Sequence, residues 1–239
     1  MRNMAGDNYV NSISASDGVV MQLTGFLFDL DGTLANTIPL CIKVYQQTFK
    51  HFTGRDYSEA EITAHFGLTE GGICQQVIPD RWQEALDYYH KAYEQAHDEC
   101  NEPFPGIPAV LDLLRSKGIK MAVVTGKGIH TAMLTLHHLG IADYFEFVEA
   151  GREDAVVKAS AMRRILESWQ MKPEQAAYIG DAASDVEQSA QAGVLALAAE
   201  WSATATIDQL EDIHPYASFT SVESFIAWIE LHVEPTLVA

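Results

Sequence analysis

The sequence predicts an α/β fold: a parallel sheet with helices on both faces, opened after its first strand by a helical insertion. Three observations predict it. From about residue 105 onward, short apolar runs alternate with segments of helical periodicity. The cluster EPFPGIP at 102–108 separates that region from a long stretch of helical pattern. And three apolar runs end in polar signals: FLFDLDG, AVVTG and AYIGDAASD.

The first strand is expected over 23–28, bounded by Thr24-Gly25 and by the Asp-Gly pair that follows. Thr37 is placed to cap a helix, with Pro39 tolerated in its first turn. From there to about Cys100 the pattern is helical. Residues 81–100 read as the longest helix, with an aromatic stripe that suits packing, and HFGLTEGG at 65–72 reads as a glycine-marked turn. Beyond 102–108, a helix is expected over 109–117, ended by Gly118, then a strand over 120–125. The same reading gives a helix at 129–139, a strand at 144–150 and a helix at 157–169. It continues with a strand at 176–180, a helix at 184–192 closed by Gly193, a strand at 194–198 and a last helix at 222–232. The α/β core is therefore expected at 22–35 and 105–239, and the insertion at 36–104. Residues 1–21 are polar, lack the apolar core of a signal peptide and read as a disordered or appended leader, with Met21 a candidate start.

Composition narrows the function. The chain has 239 residues, 48% of them apolar, and a net charge of −18. It is long enough to bury a core without disulfides. Its fifteen Lys and Arg are scattered, so nucleic-acid binding is not expected. A small anionic substrate remains compatible, because a few cations and a metal can converge locally while the overall charge slows encounter. Cys41, Cys74 and Cys100 are odd in number and unpaired in spacing, which suits idle thiols in a reducing cytoplasm. No apolar run reaches membrane-spanning length.

In open parallel sheets, ligands bind at the carboxyl ends of the strands. Asp29, Asp31, Thr125, Asp181 and Asp185 all fall at or just beyond such ends. Four carboxylates on one edge oppose each other's ionisation and call for a cation. Oxygen ligands without His or Cys favour a hard ion, Mg²⁺ first. A carboxylate beside such an ion can attack phosphorus, and a second acid can protonate the leaving oxygen. Thr125 offers a hydroxyl and a backbone N–H to phosphate oxygens.

The motifs FDLDGTL, VVTGK and YIGDAASD, with Lys158 between the last two, resemble the haloacid dehalogenase superfamily in content, order and strand-end placement. The resemblance spans nearly the whole core and is most like the phosphoglycolate phosphatase and pyrophosphatase-like branch. It implies a Rossmann-like core with a helical cap of the C1 type. Asp29 would be the nucleophile that forms an aspartyl-phosphate, and Asp31 the general acid and base with its carbonyl facing the metal. Gly32, Thr125, Gly126 and Lys158 would bind the phosphoryl group. Mg²⁺ would be held by Asp29, Asp31, Asp181 and Asp185, the last directly or by orienting it. One departure is that Lys158 is followed by Ala159 rather than proline. Lys172-Pro173 has the familiar dipeptide but stands at the wrong end of its strand. Lys127 is a further rival, read otherwise as a solvated or phosphate-edge lysine.

On the cap, Lys43, Arg55, His65 and the turn ending in Glu70 are candidates for contact with a small phosphorylated metabolite, though Glu70 could instead cap a helix. The expected protein is a cytoplasmic monomer or homodimer. Two other readings stay open. One is a phosphosugar mutase of the β-phosphoglucomutase type, against which Thr33 leans. The other is a receiver-like or phospho-ligand-binding module, which the adjacent Asp31 and the long insertion disfavour.

Overall fold

A computed structural model describes residues 22–154, 157–209 and 213–236, so the leader at 1–21 lies outside the described residues. The first strand, β1 (Gly25–Phe28), is followed by four helices, α1 (Ile38–Thr53), α2 (Glu59–Thr63), α3 (Glu70–Val77) and α4 (Trp82–Ala96). Then come α5 (Ile107–Ser116), β2 (Lys120–Val124), α6 (Ile129–His138), β3 (Phe147–Glu149), α7 (Lys158–Trp169) and β4 (Ala176–Gly180). The chain ends with α8 (Ala183–Ala192), β5 (Leu195–Ala199), β6 (Ala217–Phe219) and α9 (Val222–His232).

The six strands form one parallel sheet in the order β3-β2-β1-β4-β5-β6. The central strands are apolar throughout because both faces are covered. Phe26, Phe28, Met121, Val123, Ala177 and Ile179 belong to the core under α5 and α9, whereas Leu27, Ala122, Val124 and Tyr178 pack with α7. Successive residues thus serve opposite faces, as the strand period of two requires. The chain leaves β1 toward β2 and β3, then returns to β4 on the other side, so β1 and β4 flank the switch point where such sheets bind ligands.

The predicted order of strands and helices is found, with ends shifted by a few residues. Three readings are corrected. The strand β6 was not foreseen; it is three residues long and carries too little pattern to detect. Among the described residues the longest helix is α1, with 16 residues, not the one over 81–100, because Asp98 and Glu99 fall in a separate 3-10 turn. And Gly71 and Gly72 are helical, in the first turn of α3, with Thr69 accepting the Gly72 N–H as N-cap. Their reason is close approach, not a turn: a Cβ on Gly72 would overlap the backbone carbonyl of Glu153.

That contact is one of several that seat the insertion on the core. Its two ends run side by side, with the Phe104 N–H donating to the Leu34 carbonyl at 2.9 Å. The Thr69 N–H donates to the Arg152 carbonyl at 3.3 Å, and Gln75 Nε2 to Glu153 Oε2 at 2.8 Å. Buried Glu70 reaches across to α6, where its carboxylate accepts the Gly128 N–H at 2.8 Å and the Thr131 hydroxyl. Glu70 therefore does cap a helix, but the core's α6 rather than the one it begins. Replacing it with Ala takes the acceptor from the Gly128 N–H and leaves the Thr131 hydroxyl with the Gly128 carbonyl alone, at 3.1 Å. Glu70→Ala is expected to cost about 1–2 kcal/mol in urea unfolding, whereas an unchanged midpoint would show the tie to be idle.

Candidate active site

Parallel register brings the three polar strand ends together. Phe28 is level with Val123 on β2 and Ile179 on β4, so Asp29, Thr125 and Asp181 emerge on the same edge. The Asp29 N–H continues the ladder to the Ile179 carbonyl at 2.9 Å. Asp185, in the first turn of α8, completes the group. One carboxylate oxygen from each of Asp29, Asp181 and Asp185 lies within 4.8 Å of the others, and all three residues are buried.

Lys158 is the cation among them. It opens α7 on the same edge, and its Nζ lies 2.9 Å from Asp29 Oδ2 and 2.6 Å from Asp185 Oδ1. Lys172 stands at the opposite end of β4, in the segment that enters that strand. Asp185 is held on both oxygens: Oδ1 also accepts the Tyr178 hydroxyl at 3.2 Å, and Oδ2 accepts the Ala182 N–H at 3.1 Å. Asp181 Oδ1 accepts the Thr33 hydroxyl at 3.2 Å. Asp29 differs: its Oδ1 is buried and accepts no hydrogen bond from the described residues.

One lysine does not neutralise three buried acids. Burial raises the Asp29 carboxyl to about 7; Lys158 opposes the rise, and Asp185 and Asp31 add to it. Burial, then Asp29 and Asp185, hold Asp181 well above the usual carboxylate range. Burial alone would lower the Lys158 ammonium, but Asp185 and Asp29 together push it above the ordinary lysine value. An all-oxygen set with excess negative charge and an orphaned oxygen fits a hard divalent cation such as Mg²⁺, held by Asp29, Asp181 and Asp185.

Asp31 stands apart, which corrects the expected cluster of four carboxylates. Its side chain accepts the Thr37 hydroxyl, and Lys127 Nζ at 3.1 and 3.4 Å. Thr37 has no side-chain cap bond to α1, because its hydroxyl is used here. Lys127 is not solvated: it is 6% exposed, with Nζ 3.2 Å from Cys41 Sγ and 4.6 Å from the Tyr93 ring centroid. Burial opposes its charge, yet Asp31 first, then Cys41, Tyr93 and Glu70, hold it well above the usual lysine range. Cys41 itself is pushed up to about 11 by burial, so it is a neutral neighbour rather than a nucleophile.

Gly32 and Thr125 also take more limited roles than expected. Gly32 has φ +80°, its N–H is taken by the Ala35 carbonyl at 2.9 Å, and a Cβ there would overlap Asp181 Oδ2. The position makes room for a carboxylate rather than presenting an N–H. Gly32→Ala is expected to cost about 1–3 kcal/mol from the left-handed backbone alone and to weaken metal binding, measured by thermal shift against Mg²⁺. A variant that binds as well as the parent would refute this. The Thr125 N–H is bonded to the Glu149 carbonyl at 3.0 Å, and its hydroxyl accepts the Lys127 N–H at 3.1 Å, which leaves the hydroxyl proton to donate to a ligand.

A cavity of about 900 Å³ lies over this edge, between the sheet and the insertion. Asp29, Asp31, Thr125, Lys127, Lys158 and Asp181 line its floor, and Gly126 joins them. Of the proposed contacts from the insertion, only Glu70 and its turn reach it. Lys43 is on the surface, paired with Glu99 at 2.5 Å, Arg55 pairs with Glu61, and His65 bonds Gln76 at 2.8 Å; none lines the cavity. Lys127 and Thr37 are the site residues that sequence reasoning missed or misplaced. The VVTGK adjacency was the available signal for the first.

Comparison with known proteins finds relatives over most of the chain. A family model described as haloacid dehalogenase-like hydrolase matches residues 26–199. The chain is 29% identical over 189 residues to a phosphoglycolate phosphatase of Aquifex aeolicus, covering 78% of this chain and 89% of that protein. It is 31% identical over 185 residues to a putative pyrophosphatase PpaX of Caldanaerobacter subterraneus, covering 76% and 84%. A crystal structure of a predicted phosphoglycolate phosphatase from Haemophilus somnus superposes with a TM-score of 0.71 at 19% identity, covering 87% and 98%, and shows the shared fold.

Proposed function

The chain belongs to the haloacid dehalogenase-like hydrolases, and from that premise we propose that it hydrolyses a small phosphomonoester through an aspartyl-phosphate on Asp29. The observation that carries the reading is the state of Asp29 at the cavity floor. One oxygen is held by Lys158 and the other is left without a donor, in a cluster suited to Mg²⁺. When bound, the cation would offset the repulsion between carboxylate and phosphate.

The chain's own residues supply the rest. Asp29 attacks phosphorus; its O–P bond forms as the bond to the leaving oxygen breaks. Asp31, on the same floor, gives that oxygen its proton. Asp31 then takes a proton from water as the water attacks phosphorus, which releases inorganic phosphate and restores the Asp29 carboxylate. Lys127 and Thr37 position Asp31, and Lys158 holds Asp29 and meets the transferring group. The helical insertion acts as a cap that closes the cavity from bulk water.

The test is release of inorganic phosphate from a panel of phosphomonoesters, with Mg²⁺ present or chelated and Asp29→Asn as control. Release that needs both Mg²⁺ and Asp29 is expected. Transfer of the phosphoryl group back to a sugar, without release, would replace this reading with the mutase.

A further inference from the structure

The wall that the insertion turns toward the acids is apolar. Ile38, Ile42 and Tyr45 of α1, Phe66 and Leu68 of the linker between α2 and α3, and Ile73 of α3 all line the cavity. Phe66 remains 39% exposed, its ring 6.5 Å from that of Tyr45. No basic residue of the insertion joins them. Lys43, Lys50, Arg55 and Arg81 are paired on the outer surface with Glu99, Asp56, Glu61 and Glu84, and Lys91 is exposed on α4. The charged groups that the insertion brings to the cavity are acids: Glu59, and Glu70 with its carboxylate already tied to α6. On the floor, the cavity's two lysines are each bonded to aspartates.

A substrate with one phosphoryl group would thus find its charge met at the floor and nothing cationic beyond it. A second anion on the same molecule would be desolvated against apolar side chains, near two carboxylates, without a partner. We propose, resting on the phosphatase reading above, that the substrate is a phosphomonoester whose alcohol portion is uncharged and apolar. Esters that carry a carboxylate or a second phosphate are excluded. Phosphoglycolate and pyrophosphate, named for the relatives, are both of the excluded kind.

The test uses two esters whose leaving alcohols are of similar acidity, 3-phenylpropyl phosphate and 3-carboxypropyl phosphate, with the full chain and Mg²⁺. A kcat/KM ratio of about 100 or more in favour of the phenyl ester is expected. Phe66→Arg, at an exposed position, is expected to narrow that ratio at least about tenfold, mainly through a lower KM for the carboxylate ester. Calorimetric binding of the corresponding phosphonates measures the same preference without turnover. An equal or reversed preference, with Asp29-dependent phosphate release from either ester, overturns the apolar-substrate inference and leaves the phosphatase reading standing. No release from either ester, with the phenyl phosphonate bound more tightly, keeps the inference about the wall and overturns the phosphatase reading. Equal binding of the two phosphonates overturns the inference whatever the turnover.

Discussion

Asp29→Asn is expected to abolish turnover, by about 10³-fold or more, and at the same time to stabilise the metal-free protein at neutral pH. The two effects have one cause. On the proposed reading, a carboxylate kept for reaction with an electrophile is buried beside two others with a single shared lysine. The folded protein holds the Asp29 proton up to about pH 7, against an ordinary value of 3.8. Between those values the native state binds more protons than the unfolded chain, so this group's contribution to stability falls as pH rises and levels off above about 7. Asn mimics the protonated form and escapes the loss. Near pH 4 the two proteins should be equally stable; by pH 7.5 the variant should lead by up to about 4 kcal/mol, at about 1.4 kcal/mol per pH unit. Mg²⁺ should stabilise the parent more than the variant. Urea titrations across pH 4–8 measure the difference. A gap that does not change with pH would remove the account of Asp29 as a destabilised nucleophile.

The same edge shows where sequence reasoning reaches and where it stops. Asp29, Thr125 and Asp181 were legible because a parallel register forces strand ends to align, and their strands announce themselves as apolar runs. Lys158 was legible from its place at the start of a helix on that edge. Asp31 illustrates the limit. Two residues beyond Asp29, it was expected among four gathered carboxylates, yet its side chain turns to Lys127 and Thr37. That turn depends on where a flexible lysine goes. Lys127 goes inward because Cys41 of α1 and Tyr93 of α4 enclose it. Those are contacts between the insertion and the core, 86 residues apart in the first case, and no local pattern encodes them. The glycines of α3 fail for the same reason. Their spacing reads as a turn, while the need they meet is the approach of Glu153 from another part of the chain. Local rules located the elements and the strand-end acids; side-chain direction was settled by packing between two parts folded against each other.

The two buried lysines should therefore respond differently to removal. Lys158→Met leaves Asp29 and Asp185, both almost fully buried, without their shared cation. Breaking a buried pair this way costs about 3–5 kcal/mol, and phosphate release should fall below detection because Asp29 loses the cation that holds its Oδ2. Lys127→Met removes a charge equally buried, but its partner Asp31 keeps a fifth of its side chain in contact with solvent and retains the Thr37 hydroxyl. The residual carboxylate can stay hydrated, so the loss should be smaller, about 1–2 kcal/mol. The pH dependence separates these cases further. In Lys158→Met the uncompensated acids can take up protons, so its deficit should shrink as pH is lowered toward 5, and Mg²⁺ should recover part of it at pH 7.5. Unfolding of both variants in urea, with and without Mg²⁺, measures this. Equal losses for the two lysines, or a Lys158→Met deficit independent of both pH and Mg²⁺, would mean that Lys158 serves packing rather than the charge balance of the site.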